Sequence, residues 1–272
     1  MSSPHPTATL VSPSGRVRAA VSGDGGRLAS LVVEGLEVLV TEGAKPSRFG
    51  SFPMAPWCGR LAHGRLSFGG RTHELPLTSP PHANHGRAYL SPWRAEVQTS
   101  NHLTERCDLV APWPFGGHVL QRFHLDDEAL VVTLEVHADE QPMPVMAGWH
   151  PWFRRQLARG GPAELSFEAR AVYVHDADQL PTGALAPPPP PPFDHCFVGV
   201  ERPPRITWPG ALALELRSTF DHWVVFTEPA HALCVEPQSG PPNQVNRAPV
   251  VATPGRPLVG SMTLRWHVSA AT

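Results

Sequence analysis

Proline interrupts this chain about once in every eight positions: 33 of its 272 residues carry it, against an average usage of roughly 5%. Each proline removes a backbone donor and breaks a helix interior. Long helices are therefore scarce, and a helical bundle is excluded. The proline-poor stretches are short enough for strands. Residues 17–22 and 28–40 flank the turn Gly23-Asp24-Gly25-Gly26, and 66–68 and 72–75 flank Gly69-Gly70, both hairpin signals. Stretches 93–100 and 104–110 form the next pair. Residues 118–125 and 129–137 flank Asp126-Asp127-Glu128, and Val132, Leu134 and Val136 alternate there with Val131, Thr133 and Glu135, a period of two. Later strands are expected over 163–169, 171–175, 212–218, 222–227, 232–236 and 259–268. With no βαβ alternation, the pattern predicts an antiparallel sandwich or barrel.

One domain is expected over 1–272, with 1–13 a loose N-terminal extension. The proline run 187–192 reads as a stiff surface loop, polyproline II in character. Net charge is −2, which supplies no field to recruit nucleic acid or an anionic membrane. No apolar run approaches the ~18 residues of a membrane span, and the Ser/Thr/Pro-rich start is not a signal peptide. Cys58, Cys107, Cys196 and Cys234 are scattered, without a C-x-x-C. They read as free thiols, and a cytoplasmic location is expected from that. The single lysine, Lys45, sits in Gly43-Ala44-Lys45-Pro46, which reads as a turn, so Schiff-base chemistry is set aside.

Five segments look unlike sheet filler: 55–66, His82-Ala83-Asn84-His85-Gly86, Gly148-Trp149-His150-Pro151-Trp152-Phe153, Phe193-Asp194-His195-Cys196-Phe197, and 235–243. Each puts polar, mostly proton-carrying groups beside aromatics, glycine or proline, at or just after a strand, where scaffolds commonly carry function. Two histidines, two carboxylates, an arginine and indole faces suit proton transfer on a hydroxylated substrate. Imidazole donates near neutral pH, carboxylate accepts, and arginine and aspartate fix hydroxyls. Singly, each has a plainer reading: a loop or core histidine, a solvated Glu236, an ion-paired Arg60, a core Trp149 or Trp152. His82 and His85 have a weak metal-ligand spacing, and no metal is expected. No serine nucleophile elbow, phosphate loop or dinucleotide fingerprint occurs.

In order, Pro56-Trp57 with Arg60 and Gly64-Arg65, Glu74-Leu75-Pro76, His85-Gly86, His150-Pro151-Trp152-Phe153, Asp194-His195-Cys196-Phe197 and Glu236-Pro237-Gln238 with Gly240-Pro241-Pro242 resemble the aldose 1-epimerase (galactose mutarotase) family, from about residue 10 to 268. The resemblance implies an all-β fold, a large antiparallel β-sandwich of the galactose mutarotase-like supersandwich type with few short helices. It implies His150 as the acid on the ring oxygen and Glu236 as the base on the anomeric hydroxyl. His85 is the second histidine, bonded near the ring oxygen or a neighbouring hydroxyl. Arg60 and Asp194 hold sugar hydroxyls, and Trp152 occupies the aromatic position after the acid. It implies no cofactor. The expected partner is a small-molecule sugar, an aldohexose or aldopentose, and the chain a monomer or homodimer. The sequence departs from the family at Gly59, where asparagine is common, at Cys58 and at Asn84.

Three readings follow. The first is aldose mutarotation, with a Glu236 pKa raised by partial burial. The second is mutarotation of a hexose 6-phosphate, for which Arg154 and Arg155 are the candidate phosphate ligands. The third is a non-catalytic sugar-binding or sensing module on the same scaffold.

Overall fold

A computed structural model describes residues 8–269. Two antiparallel sheets dominate them, one of eleven strands and one of eight. The eight-stranded sheet runs Arg94–Gln98, His102–Asp108, His118–Leu125, Ala129–His137, Leu258–Val268, Leu212–Ser218, Arg205–Trp208, Glu164–Ser166. Its strands alternate as the period of two requires: along Ala129–His137, Val132, Leu134 and Val136 are buried while Val131, Thr133 and Glu135 are partly exposed. These inward residues join one apolar cluster with Leu10, Leu31, Phe52 and Trp149 of the larger sheet. The sandwich is thus closed by area burial between the two inner faces.

Helix is confined among the described residues to one α-turn, Gln244–Arg247, and three short 3-10 segments. Of the loose extension expected over 1–13, Ala8–Val11 instead form a strand with Leu10 opposite Ala19. Ala8 and Leu10 are buried, and this alternation draws the segment into the sheet. Residues 1–7 lie outside the described residues. The proline run 187–192 connects Pro181–Ala186, the sheet's last strand, to Asp194–Val198, passing the intervening Ala171–His175. Strands two places apart are ~10 Å distant, and a short extended segment spans that. All four cysteines are free and buried.

The centre of the eleven-stranded sheet positions the chemistry. Gly148–Arg154 lies between Ser51–Met54 and Ala232–Gln238. Its residues are almost all buried, as are those of both neighbours, so no alternation marks these strands in the sequence. Each also carries a proline. Gly148–Arg154 pairs with Ala232–Gln238 at Gly148–Gln238 and again from Trp152–Cys234 onward, and the ladder is open between. The Trp152 N–H points away from this partner, to Gly50 O at 2.8 Å, so the peptide of residue 151 faces it. There proline has nothing to donate. Pro237, opposite Trp149 in the same register, removes a second donor.

Candidate active site

Within that open stretch the register sets His150 directly across from Glu236. Their side chains project from the face opposite to Trp149, whose indole N–H donates to Gln121 Oε1 of the smaller sheet. His150 Nε2 lies 3.3 Å from Glu236 Oε1. His150 is 6% exposed and Glu236 2%. Both line a cleft of about 370 Å³, together with His85, Arg60, Asp194 and Trp152. The structure therefore brings all six expected site residues to one place.

Burial governs the charge of the pair. Desolvation pushes the Glu236 carboxyl well above its ordinary range, reinforced by the nearby Asp194 carboxylate. The same desolvation, with His85 adding to it, holds His150 well below the ordinary imidazole value. Burial thus disfavours the charged form of both groups. Gln238, two residues along the same strand face, donates Nε2–H to Glu236 Oε2 at 3.4 Å. Phe52 stacks on the His150 ring at 4.8 Å and Trp152 at 5.3 Å, fixing its plane. The glutamine and the phenylalanine were not singled out from sequence. The alternation Glu236-x-Gln238 was the available signal for the first.

Arg60 begins the short strand Arg60–Leu61, paired to Ala83–Asn84, and this pairing carries His85 in beside it. The Arg60 guanidinium sits 3.6 Å from Asp194 Oδ2 and donates to Gln179 O at 3.4 Å. Asp194 starts its own strand opposite Phe226. The two charges therefore stand together on the cleft wall with unused donors and acceptors, which suits vicinal hydroxyls. Trp152 is 1% exposed, its ring between His150 and His231, with the Arg48 guanidinium 5.5 Å over it. It forms a wall behind the cleft rather than an open platform. The glycine at the asparagine-favoured position has a local cause. Gly59 has φ +58, and a Cβ there would meet Pro242 Cγ at 2.7 Å.

Two sequence expectations change. Arg154 and Arg155 do not offer a phosphate site. Arg154 donates to Leu39 O and Thr41 Oγ1, and Arg155 donates to Thr227 O and Pro229 O, so both are committed to backbone and loop groups outside the cleft. Lys45, read as a turn residue, does precede a 3-10 turn, Pro46–Arg48, yet both Lys45 and Arg48 line the cleft. Neither has an ion-pair partner among the described residues. His82 and His85 face different partners, Asp178 O and Met54 Sδ, and do not converge on a metal. The residues whose donor atoms do cluster, within 4.8 Å, are His150, Cys234 and Glu236.

Comparison with known proteins follows the same line. A family model described as aldose 1-epimerase matches residues 7–259. A structure from Escherichia coli K12, provisionally named an aldose 1-epimerase, superposes with a TM-score of 0.82 at 21% identity, covering 96% of this chain and 98% of that one. A galactose mutarotase-like protein from Clostridium acetobutylicum gives 0.81 at 15%, with 94% of each chain covered. Galactose 1-epimerase from Lactobacillus acidophilus gives 0.75 at 16%, covering 96% and 94%. These identities speak for the fold. No curated protein matches the chain.

Proposed function

The chain belongs to the aldose 1-epimerase family, and from that premise we propose that it interconverts the α and β anomers of an aldose by acid–base ring opening and reclosure. The observation that carries this reading is the buried pair His150 Nε2–Glu236 Oε1 at 3.3 Å on the floor of an open cleft. Two oxygens on one carbon sit closer together than that, so a hemiacetal carbon can offer its ring oxygen to His150 and its hydroxyl to Glu236 at once.

The proton inventory fits the reaction. With the ring closed, the productive form is imidazolium and carboxylate. His150 protonates the ring oxygen while Glu236 takes the hydroxyl proton, the ring bond breaks, and a free aldehyde forms. The pair is now neutral imidazole and carboxylic acid, the form that burial favours. Rotation about the C1–C2 bond presents the other carbonyl face, and reclosure returns both protons in reverse. The pair's net charge stays at zero throughout, so the steps separate and recombine charge within the pair and add none to the low-dielectric pocket. Each general acid or base step is worth roughly 10²–10⁴-fold. Arg60 and Asp194 hold the sugar's hydroxyls, and His85 contacts it beside the anomeric centre.

The polarimetric rate with freshly dissolved α-D-glucose and α-D-galactose tests the reading. It should exceed the buffer rate and collapse in Glu236→Gln and His150→Asn with the fold intact. Near-wild-type rates in both variants would remove the assignment, and binding without acceleration would favour a sugar-sensing module. A second reading, a hexose 6-phosphate substrate, is favoured by one observation: the cations Lys45 and Arg48 line the cleft without an ion-pair partner among the described residues. Comparing glucose with glucose 6-phosphate decides between them.

A further inference from the structure

His85 is pinned from three directions. Its backbone is left-handed (φ +62), and its N–H donates to Gly59 O at 2.9 Å. The next residue, Gly86, lies so close to Ala55 that a Cβ would sit 2.0 Å from the Ala55 carbonyl oxygen. Its ring meets the edges or faces of Phe52, Tyr89 and His150 at 5.0–6.2 Å between centroids. The ring's own polar contact is the unusual one. Nδ1 lies 3.0 Å from the thioether sulfur of Met54, a fully buried residue at the end of Ser51–Met54. That strand thus orients both histidines, Phe52 holding the plane of His150 and Met54 the edge of His85.

A thioether has lone pairs and no proton, so it can only accept. Nδ1 must therefore carry the hydrogen. Burial and the cations Arg60 and Arg48 press the ring's pKa down to about 3, which leaves it neutral with one N–H. Nε2 is then a bare lone pair, with no partner among the described residues, on a ring that lines the cleft.

We infer that Met54 is a positioning residue that fixes the tautomer of His85, so that His85 Nε2 can only accept a hydrogen bond and reads a donating sugar hydroxyl, not the ring oxygen. An acetal oxygen has no hydrogen to give, so of the two partners the family resemblance leaves open for this histidine, the hydroxyl is the one compatible with Met54. The hydroxyl part of the inference rests on the proposed mutarotase reading, and the tautomer part does not. The consequence is a selectivity filter: a group that accepts but cannot donate, such as fluorine or methoxy in place of that hydroxyl, would face a lone pair.

NMR of ¹⁵N-histidine-labelled protein at neutral pH tests the tautomer directly. His85 should show a protonated Nδ1 and an unprotonated Nε2. Met54→Leu, nearly equal in volume, should admit the Nε2–H form, while selenomethionine at 54, also an acceptor, should keep the wild-type spectrum. A wild-type Nε2–H signal, or an unchanged tautomer in Met54→Leu, would overturn the role of Met54. KM over a series of singly fluorinated aldoses supplies the second arm. One position should raise KM about two- to tenfold with kcat less affected, and the penalty should shrink in Met54→Leu. A flat series would overturn the hydroxyl assignment. The spectrum needs no turnover, so a protein inert on every sugar would sink the proposed activity and leave the tautomer result standing.

Discussion

Replacing Glu236 by glutamine should separate the cost of keeping a buried base from its use. The amide is close in shape. It can still donate to His150 Nε2, 3.3 Å away in the native pair, and accept from Gln238 Nε2. What it loses is the ability to take a proton, and the mutarotation rate should fall by about 10²–10⁴-fold. Stability should move differently. The native carboxyl titrates well above its ordinary value because burial penalises the charged form. The folded state therefore holds a proton that the unfolded chain, titrating near pH 4.5, has already released. That contribution is complete below the unfolded pKa and is lost as pH rises through the folded one. The loss is about 1.4 kcal/mol per pH unit within the window. The substituted amide does not titrate. The wild type should thus lose ground to Glu236→Gln by about that slope, measured by urea unfolding at half-unit steps upward from pH 4.5. The reasoning fails if the stability difference is independent of pH, or if the variant keeps a rate within tenfold of wild type.

Three other outcomes follow from the same structure. Acid should destabilise the protein through His85: its folded pKa of about 3 lies below the unfolded 6.5, so stability present above pH 6.5 drains away as pH falls towards 3, and His85→Gln should flatten that part of a denaturation profile. Gly59→Asn, restoring the residue common in the family, should cost about 1–3 kcal/mol in chemical denaturation, because its Cβ would press on Pro242. Lys45→Ala with Arg48→Ala should raise KM for glucose 6-phosphate far more than for glucose if the phosphorylated sugar is the substrate, whereas Arg154→Ala should leave the two in their wild-type ratio.

Strands with one wet face were legible residue by residue: 17–22, 118–125, 129–137 and 212–218 appear with the same bounds in sequence and structure. Two of the strands that build the site were not. Gly148–Arg154 and Ser51–Met54 are buried on both faces, which erases the period of two, and each contains a proline, which argues against a central strand. The motif on Gly148–Arg154 was legible through family resemblance, so His150 was named without its strand, whereas Glu236 closed the strand expected over 232–236. Lys45 shows the opposite failure. A turn was expected from Gly43 to Pro46 and the 3-10 turn follows directly over Pro46–Arg48, but no local pattern tells that a turn borders a cleft. The contact between Met54 and His85 joins positions 31 apart through a cross-sheet arrangement, which lies beyond any window of sequence.

The ladder between Gly148–Arg154 and Ala232–Gln238 is interrupted for a few residues in the middle of the larger sheet. His150 and Met54 stand on the strands to one side, and Glu236 and Asp194 on the strands to the other. His150 and Glu236 thus stand on adjacent strands of one sheet, facing each other where the pairing lapses. The interruption is bounded at both ends, by Gly148–Gln238 on one side and Trp152–Cys234 on the other, so the main chain fixes how far apart the two strands stand. The sheet at this point is like cloth with a buttonhole, fastened at both ends and open for a few residues between.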